Sequence, residues 1–70
     1  MSHTTIHLDE GPNRMLTHVG KMRFVTTCEI WLKENGIIEY EFDGYDGYGE
    51  PHMLTLYDGD AVAFKLRFGL

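Results

Sequence analysis

Residues 37–57 read IIEYEFDGYDGYGEPHMLTLY, and this segment decides the fold. Apolar and acidic side chains alternate from Ile38 to Asp43. Because successive side chains of a strand point to opposite faces of a sheet, the alternation predicts a strand at 37–43 with one apolar and one acidic face. The apolar face would hold Ile38, Tyr40 and Phe42, and the acidic face Glu39, Glu41 and Asp43. Neighbouring carboxylates on the acidic face would lie about 6.6 Å apart.

Residues 44–51 connect this strand to a second predicted strand at 52–57. Glycines at 44, 47 and 49 permit positive φ, so the connection is predicted to be a long hairpin loop. Strands joined by such a loop should pair antiparallel. The loop would display Tyr45 and Tyr48 to solvent.

One more strand is predicted in the N-terminal part of the chain. Residues 4–8 are rich in β-branched side chains, with Ile6 and Leu8 facing the core. Residues 9–13 are mostly turn-forming and end this strand. We interpret residues 14–20 as a loop with at most one helical turn, which Gly20 would cap.

Residues 22–35 fit two patterns. Alternate positions are apolar, as in a strand, but a stripe at helical spacing also runs from Phe24 to Leu32. The segment is much longer than a typical strand of about 5–6 residues. Gly36 and Ile37 also suit the end of a helix, where a left-handed glycine is followed by an apolar residue. We therefore predict a helix over 22–35, with a strand as the alternative.

The C-terminal segment 60–68 is predicted to be a second helix. Asp58 or Asp60 would be its N-cap, and apolar residues from Ala61 to Phe68 share one side. The alternative is a strand that follows a tight turn at residues 59–60.

Together these elements predict one small α+β domain over residues 1–70. Two helices would pack on one face of a small antiparallel sheet. An all-β small barrel is the alternative, with 22–32 and 61–68 as strands. The predicted core is Ile6, Leu8, Phe24, Val25, Cys28, Trp31, Leu32, Ile38, Tyr40, Phe42, Leu54, Leu56, Phe64 and Phe68.

Charge is distributed unevenly along the chain. The formal net charge is -5, and no Lys or Arg occurs from Glu34 to Phe64. The carboxylates in that span are Glu34, Glu39, Glu41, Asp43, Asp46, Glu50, Asp58 and Asp60. This charge argues against nucleic acid or an anionic membrane as a direct partner, and favours a basic protein surface.

Motifs for catalysis or for metal binding are weak. The single cysteine, Cys28, lies on the apolar stripe, where a buried and unreactive thiol is expected. The carboxylates of residues 43–50 do not have the spacing of an EF-hand loop, and the four histidines are scattered. We therefore expect no catalytic residues, metal or cofactor. The N-terminus lacks the features of a signal peptide, so the cytoplasm is the expected location.

The C-terminal run Asp60-Ala61-Val62-Ala63-Phe64-Lys65-Leu66-Arg67-Phe68-Gly69 resembles the ending of many small proteins of large tailed bacteriophages. In those proteins an acidic turn precedes Asp-Ala, two variable residues and Phe-Lys-Leu-Arg-aromatic-Gly. The upstream run Trp31-Leu32-Lys33-Glu34-Asn35 is similar to a helix end in the same proteins. The resemblance implies a phage source and a host-cell location, and it assigns no functional residue.

Taken together, the sequence suggests a small acidic interaction protein that binds a basic surface of a host protein. Such binding would inhibit or redirect the host protein, and one mode is to mimic nucleic acid. The alternatives are a homo-oligomeric accessory protein, in the simplest case a homodimer, and a small-molecule binder. The expected partner-binding residues are Glu39, Glu41, Asp43, Tyr45, Asp46, Tyr48 and Glu50.

Overall fold

A computed structural model describes residues 2–70, which form three strands, two α-helices and one short 3-10 helix at Gly11–Asn13. The strands are β1 (His3–His7), β2 (Tyr40–Asp43) and β3 (Met53–Tyr57), and the helices are α1 (His18–Glu34) and α2 (Asp58–Phe68). This confirms the predicted α+β class. The all-β alternative is wrong, because both ambiguous segments are helical. Within these residues, neither helix combines the length and the apolarity needed to cross a membrane.

The sheet has the order β1-β3-β2, and both strand pairs are antiparallel. The predicted pairing of the two strands of the hairpin is therefore confirmed. β3 lies in the centre, where Leu54 is opposite Ile6 on one side and Phe42 on the other. β2 is consequently an edge strand.

Both helices pack on the same face of the sheet. The buried core consists of Ile6, Leu8, Cys28, Leu32, Leu54, Leu56, Ala61 and Phe64. Aromatic contacts join the helices, with the Trp31 and Phe64 rings 5.7 Å apart. Every predicted core residue except Ile38 is buried or packs against this core.

The end of α1 confirms the predicted Schellman cap and explains the error at Ile38. Gly36 has φ 67° and its N–H donates to the Lys33 carbonyl, while the Ile37 N–H donates to the Leu32 carbonyl at 2.9 Å. Because the chain is still leaving the helix there, β2 begins only at Tyr40. Ile37 packs against the core, and Ile38 is 87% exposed.

The start of α1 differs from the prediction. The helix begins at His18, four residues before the predicted start, and Thr17 is its N-cap. The Thr17 hydroxyl accepts a hydrogen bond from the Gly20 N–H at 3.1 Å. Gly20 therefore lies in the first turn of a helix, and its interpretation as a C-terminal cap was wrong.

The start of α2 also differs from the prediction that Asp58 or Asp60 is the N-cap. Tyr57 occupies the N-cap position, and Asp58 and Asp60 lie in the first turn. The Asp58 carboxylate instead accepts a hydrogen bond from the Thr4 hydroxyl at 2.6 Å, which ties the helix start to β1. Both carboxylates still lie at the positive end of the helix dipole, where negative charge is stabilising.

Candidate functional site

The sheet face opposite the helices carries mainly polar side chains. They form rows across the strands, with Thr55 of β3 between Thr5 and Glu41. The Thr5 and Thr55 hydroxyl oxygens are 3.0 Å apart. His3 stacks on Tyr57 with ring centroids 4.5 Å apart. This face therefore has histidines along one edge strand and carboxylates along the other.

Glu39, Glu41 and Asp43 all lie on the carboxylate edge, and all three are exposed. A shallow depression of about 110 Å³ lies beside Glu39 and Glu41 and extends to His3. Within residues 2–70, no Lys or Arg nitrogen lies within 4.0 Å of any carboxylate oxygen. One oxygen of Asp43 accepts the Gly44 N–H at 2.8 Å, and no hydrogen bond of the Glu39 or Glu41 side chain is present in this part of the chain. The row is thus an uncompensated negative edge.

Asp46 has a different role, because its carboxylate builds the loop. One of its oxygens accepts hydrogen bonds from the Tyr48 N–H at 2.8 Å and from the Glu50 N–H at 3.0 Å. The Asp46 N–H in turn donates to the Glu50 carbonyl at 2.9 Å. A carboxylate that accepts backbone N–H groups in this way fixes a turn. The Asp46 side chain therefore points into the loop.

The surroundings of Asp46 favour its ionised form. The hydrogen bond from the Glu50 N–H is the largest cause that lowers the pKa of the Asp46 carboxyl. The Tyr48 N–H and the His52 ring lower this pKa further, whereas partial desolvation acts in the opposite direction. The loop conformation therefore stabilises the ionised carboxylate of Asp46.

His52 lies between two carboxylates that are far apart in sequence. Its Nδ1 is 3.2 Å from an Asp9 oxygen, and its Nε2 is 3.5 Å from an Asp46 oxygen. The Nε2 atom is buried and makes no hydrogen bond. The Leu8 N–H donates to the His52 carbonyl at 2.8 Å. His52 therefore joins the loop to the turn that follows β1, a role that the sequence pattern did not reveal.

The loop tyrosines are exposed, as expected for contact residues. Tyr45 is 61% exposed and Tyr48 is 76% exposed. The Tyr48 ring lies against His18 with centroids 4.6 Å apart, so the loop tip also contacts the start of α1. Exposed Tyr side chains supply large contact area at low conformational cost.

Glu50 is half-buried and lies beside a groove between the loop and α1. The groove has a volume of about 270 Å³, and Glu29 of α1 also lines it. A second, much smaller cavity lies between Leu8 and Phe24 under the loop and has a volume of about 10 Å³. A single water needs roughly 10–15 Å³, so that space does not accommodate a substrate.

Cys28 is buried in the core and its thiol stays protonated. Desolvation is the main cause that raises its pKa to about 12, and the nearby charge of Glu29 adds to the effect. A nucleophilic cysteine needs a lowered pKa and access to solvent, so Cys28 is a core side chain. Across residues 2–70, no three His, Cys, Asp or Glu side chains are grouped as a metal site would require.

The predicted contact residues thus divide into three groups. Glu39, Glu41 and Asp43 form the exposed row, and Tyr45 and Tyr48 are exposed on the loop. Asp46 is bonded within the loop, and Glu50 lines the groove beside α1. No family model, curated protein or solved structure matches this chain.

Proposed function

We propose that this chain is a non-enzymatic, phage-encoded interaction protein that binds a basic surface of a host protein and thereby inhibits or redirects it. The observation that carries the proposal is the row of Glu39, Glu41 and Asp43. These carboxylates share one face at one edge of the sheet, with no cation against them in the described residues. Unpaired surface charge of one sign steers a partner of the opposite sign and selects it.

The loop supplies the apolar part of the same surface. Tyr45 and Tyr48 follow β2 directly and are both exposed. Interfaces commonly combine such aromatic anchors with a charged periphery. Asp46 would act indirectly, since its hydrogen bonds hold the loop in the conformation that presents these rings. One mode of action is to occupy a groove on the host protein that otherwise binds nucleic-acid phosphates.

A pull-down from bacterial lysate tests the proposal. The bait would be the wild-type protein, the double reversal Glu39→Lys/Glu41→Lys, or the control Glu10→Lys/Glu34→Lys. Both variants change the net charge equally, and all four positions are exposed. We expect the wild type and the control to capture a basic protein at low salt and lose it at high salt, because salt screens exposed charges beyond about 8–10 Å. The E39K/E41K bait should capture none of it, and equal capture by E39K/E41K would refute the proposal.

A second candidate function is self-association through the loop, for which the exposure of Tyr45 and Tyr48 is the favouring observation. Sedimentation at high protein concentration would distinguish the two functions. A dimer that Tyr48→Ala dissociates would support the second, and a strict monomer would eliminate it.

A further inference from the structure

The groove between α1 and the loop has a distinct chemistry. Met22, Phe42 and Tyr45 give it apolar walls, and Glu29 and Glu50 give it negative charge. None of the described residues that line it is Lys or Arg. An occupant that satisfies both parts needs an apolar stem and a cationic head. Arginine and lysine side chains have this form.

The size of the groove limits the occupant. Its volume of about 270 Å³ is just below the range for drug-sized ligands, roughly 300–1,000 Å³. The groove is open to solvent at Met22 and Tyr45, which are both exposed. A single side chain that enters from a partner's surface fits this shape better than a cofactor that must be enclosed.

The position of the groove links it to the acidic row. Phe42 and its neighbours Glu41 and Asp43 alternate along β2, so the groove and the carboxylates lie on opposite sides of the same edge strand. A basic partner docked along this edge would reach both sides.

We propose that this groove binds one arginine side chain of the basic partner. Its guanidinium would lie between Glu29 and Glu50, and its stem would lie along Met22 and Phe42. Arginine is favoured over lysine because a planar guanidinium pairs with two acceptors at once and stacks on an aromatic ring such as Tyr45. The inference rests on the proposed function, since it specifies the partner side chain that anchors the interface.

The test uses small probes on the ¹⁵N-labelled protein. N-acetyl-arginine amide would be titrated and compared with N-acetyl-citrulline amide, which has nearly the same shape and no charge. N-acetyl-lysine amide is the third probe. We expect millimolar binding of the arginine probe, with amide shifts concentrated at residues 22–29, 42, 45 and 49–50, weaker binding of the lysine probe and none of the citrulline probe.

Matched variants locate the binding site. Glu29→Gln/Glu50→Gln should lower the affinity for the arginine probe by about ten-fold or more. Glu39→Gln/Glu41→Gln makes the same change in net charge and should change this affinity by less than about two-fold. Equal weakening by both variants, shifts scattered over the surface, or equal binding of citrulline would overturn the inference.

The outcomes separate this inference from the proposed function. If E29Q/E50Q captures the lysate protein as well as the wild type does, the arginine groove is refuted and the interaction function stands. If E39K/E41K captures it equally well, the proposed acidic row is refuted, whatever the probe titration shows.

Discussion

The strand β2 and the loop after it contain the same kind of residue in opposite settings. Glu41 on the strand and Glu39 directly before it are exposed, with no partner among the described residues. Asp46 in the loop accepts two backbone N–H groups and lies 3.5 Å from His52. Carboxylates at most seven residues apart therefore have different surroundings. The strand carboxylates are available to a partner, and the loop carboxylate maintains the local fold.

This difference shows that charge density in a sequence does not by itself identify a binding surface. Glu39, Glu41 and Asp46 contribute equally to the net charge. Only the hydrogen-bond partners distinguish the carboxylate that shapes the loop from the carboxylates that are free. Variants that change the strand and the loop separately therefore test whether their carboxylates have different roles.

The largest effect on stability is expected for Gly44→Ala, at the junction of the two regions. Gly44 has φ 67°, and an added Cβ would lie 2.7 Å from the Met53 Cε. A left-handed conformation costs a non-glycine residue roughly 1–2 kcal/mol, and Met53 must also move. Urea unfolding should show this loss. Gly47→Ala is the control, because Gly47 has no positive φ and no atom within 4 Å of an added Cβ; an equal loss there would contradict the explanation.

The second-largest effect is expected for Asp46→Ala, which should loosen the loop. Removal of the carboxylate leaves the Tyr48 and Glu50 N–H groups without their acceptor, so hydrogen exchange at these two amides should accelerate several-fold. Glu41→Ala is the matched control and should leave both rates unchanged. Unchanged rates in Asp46→Ala would show that the carboxylate does not hold the loop.

Lowering the pH should weaken the loop in the same way as Asp46→Ala does, but by a smaller amount. Because the pKa of Asp46 is lowered in the folded state, its contribution to stability is complete above its ordinary pKa of about 3.9 and is lost as the pH falls through the folded value. The Tyr48 and Glu50 amide signals should therefore shift with the Asp46 titration below about pH 4. Asp46→Asn keeps an acceptor oxygen and should abolish this response, and an identical acid response in that variant would contradict the assignment.

The smallest effect is expected for Glu39→Gln/Glu41→Gln. Both side chains are exposed and unpaired in the described structure, so the free energy of unfolding should change by less than about 0.5 kcal/mol. Thermal and urea unfolding would measure it. A large loss would mean that these carboxylates are structural, as Asp46 is.

Local signals explain which parts of the fold were predictable. Gly36 followed by Ile37 specifies the end of α1, and the alternation in residues 40–43 specifies β2, because both patterns act over a few residues. The start of α1 was missed because Gly20 reads as a helix end, whereas Thr17 caps the helix and satisfies the Gly20 N–H. Ile38 lies outside the strand because the helix cap extends through Ile37 and β2 begins only at Tyr40.

The site was predictable only where exposure follows from alternation. The outward direction of Glu39, Glu41 and Asp43 follows from the period of a strand. The contact of His52 with Asp9 depends on β3 pairing with β1, which brings together residues from opposite halves of the chain. No pattern of residue spacing in the sequence predicts such a contact. The inward role of Asp46 likewise depends on the closed loop.

The most direct measurement is chemical-shift mapping of the ¹⁵N-labelled protein with the basic protein that the lysate pull-down is expected to capture, at low and at high salt. We expect the largest changes at residues 39–43, 45 and 48, with little change at the Leu8 amide, whose N–H bonds to His52. These changes should fade at high salt. Changes concentrated on α2, or equal changes at both salt concentrations, would contradict an acidic docking surface on β2 and its loop.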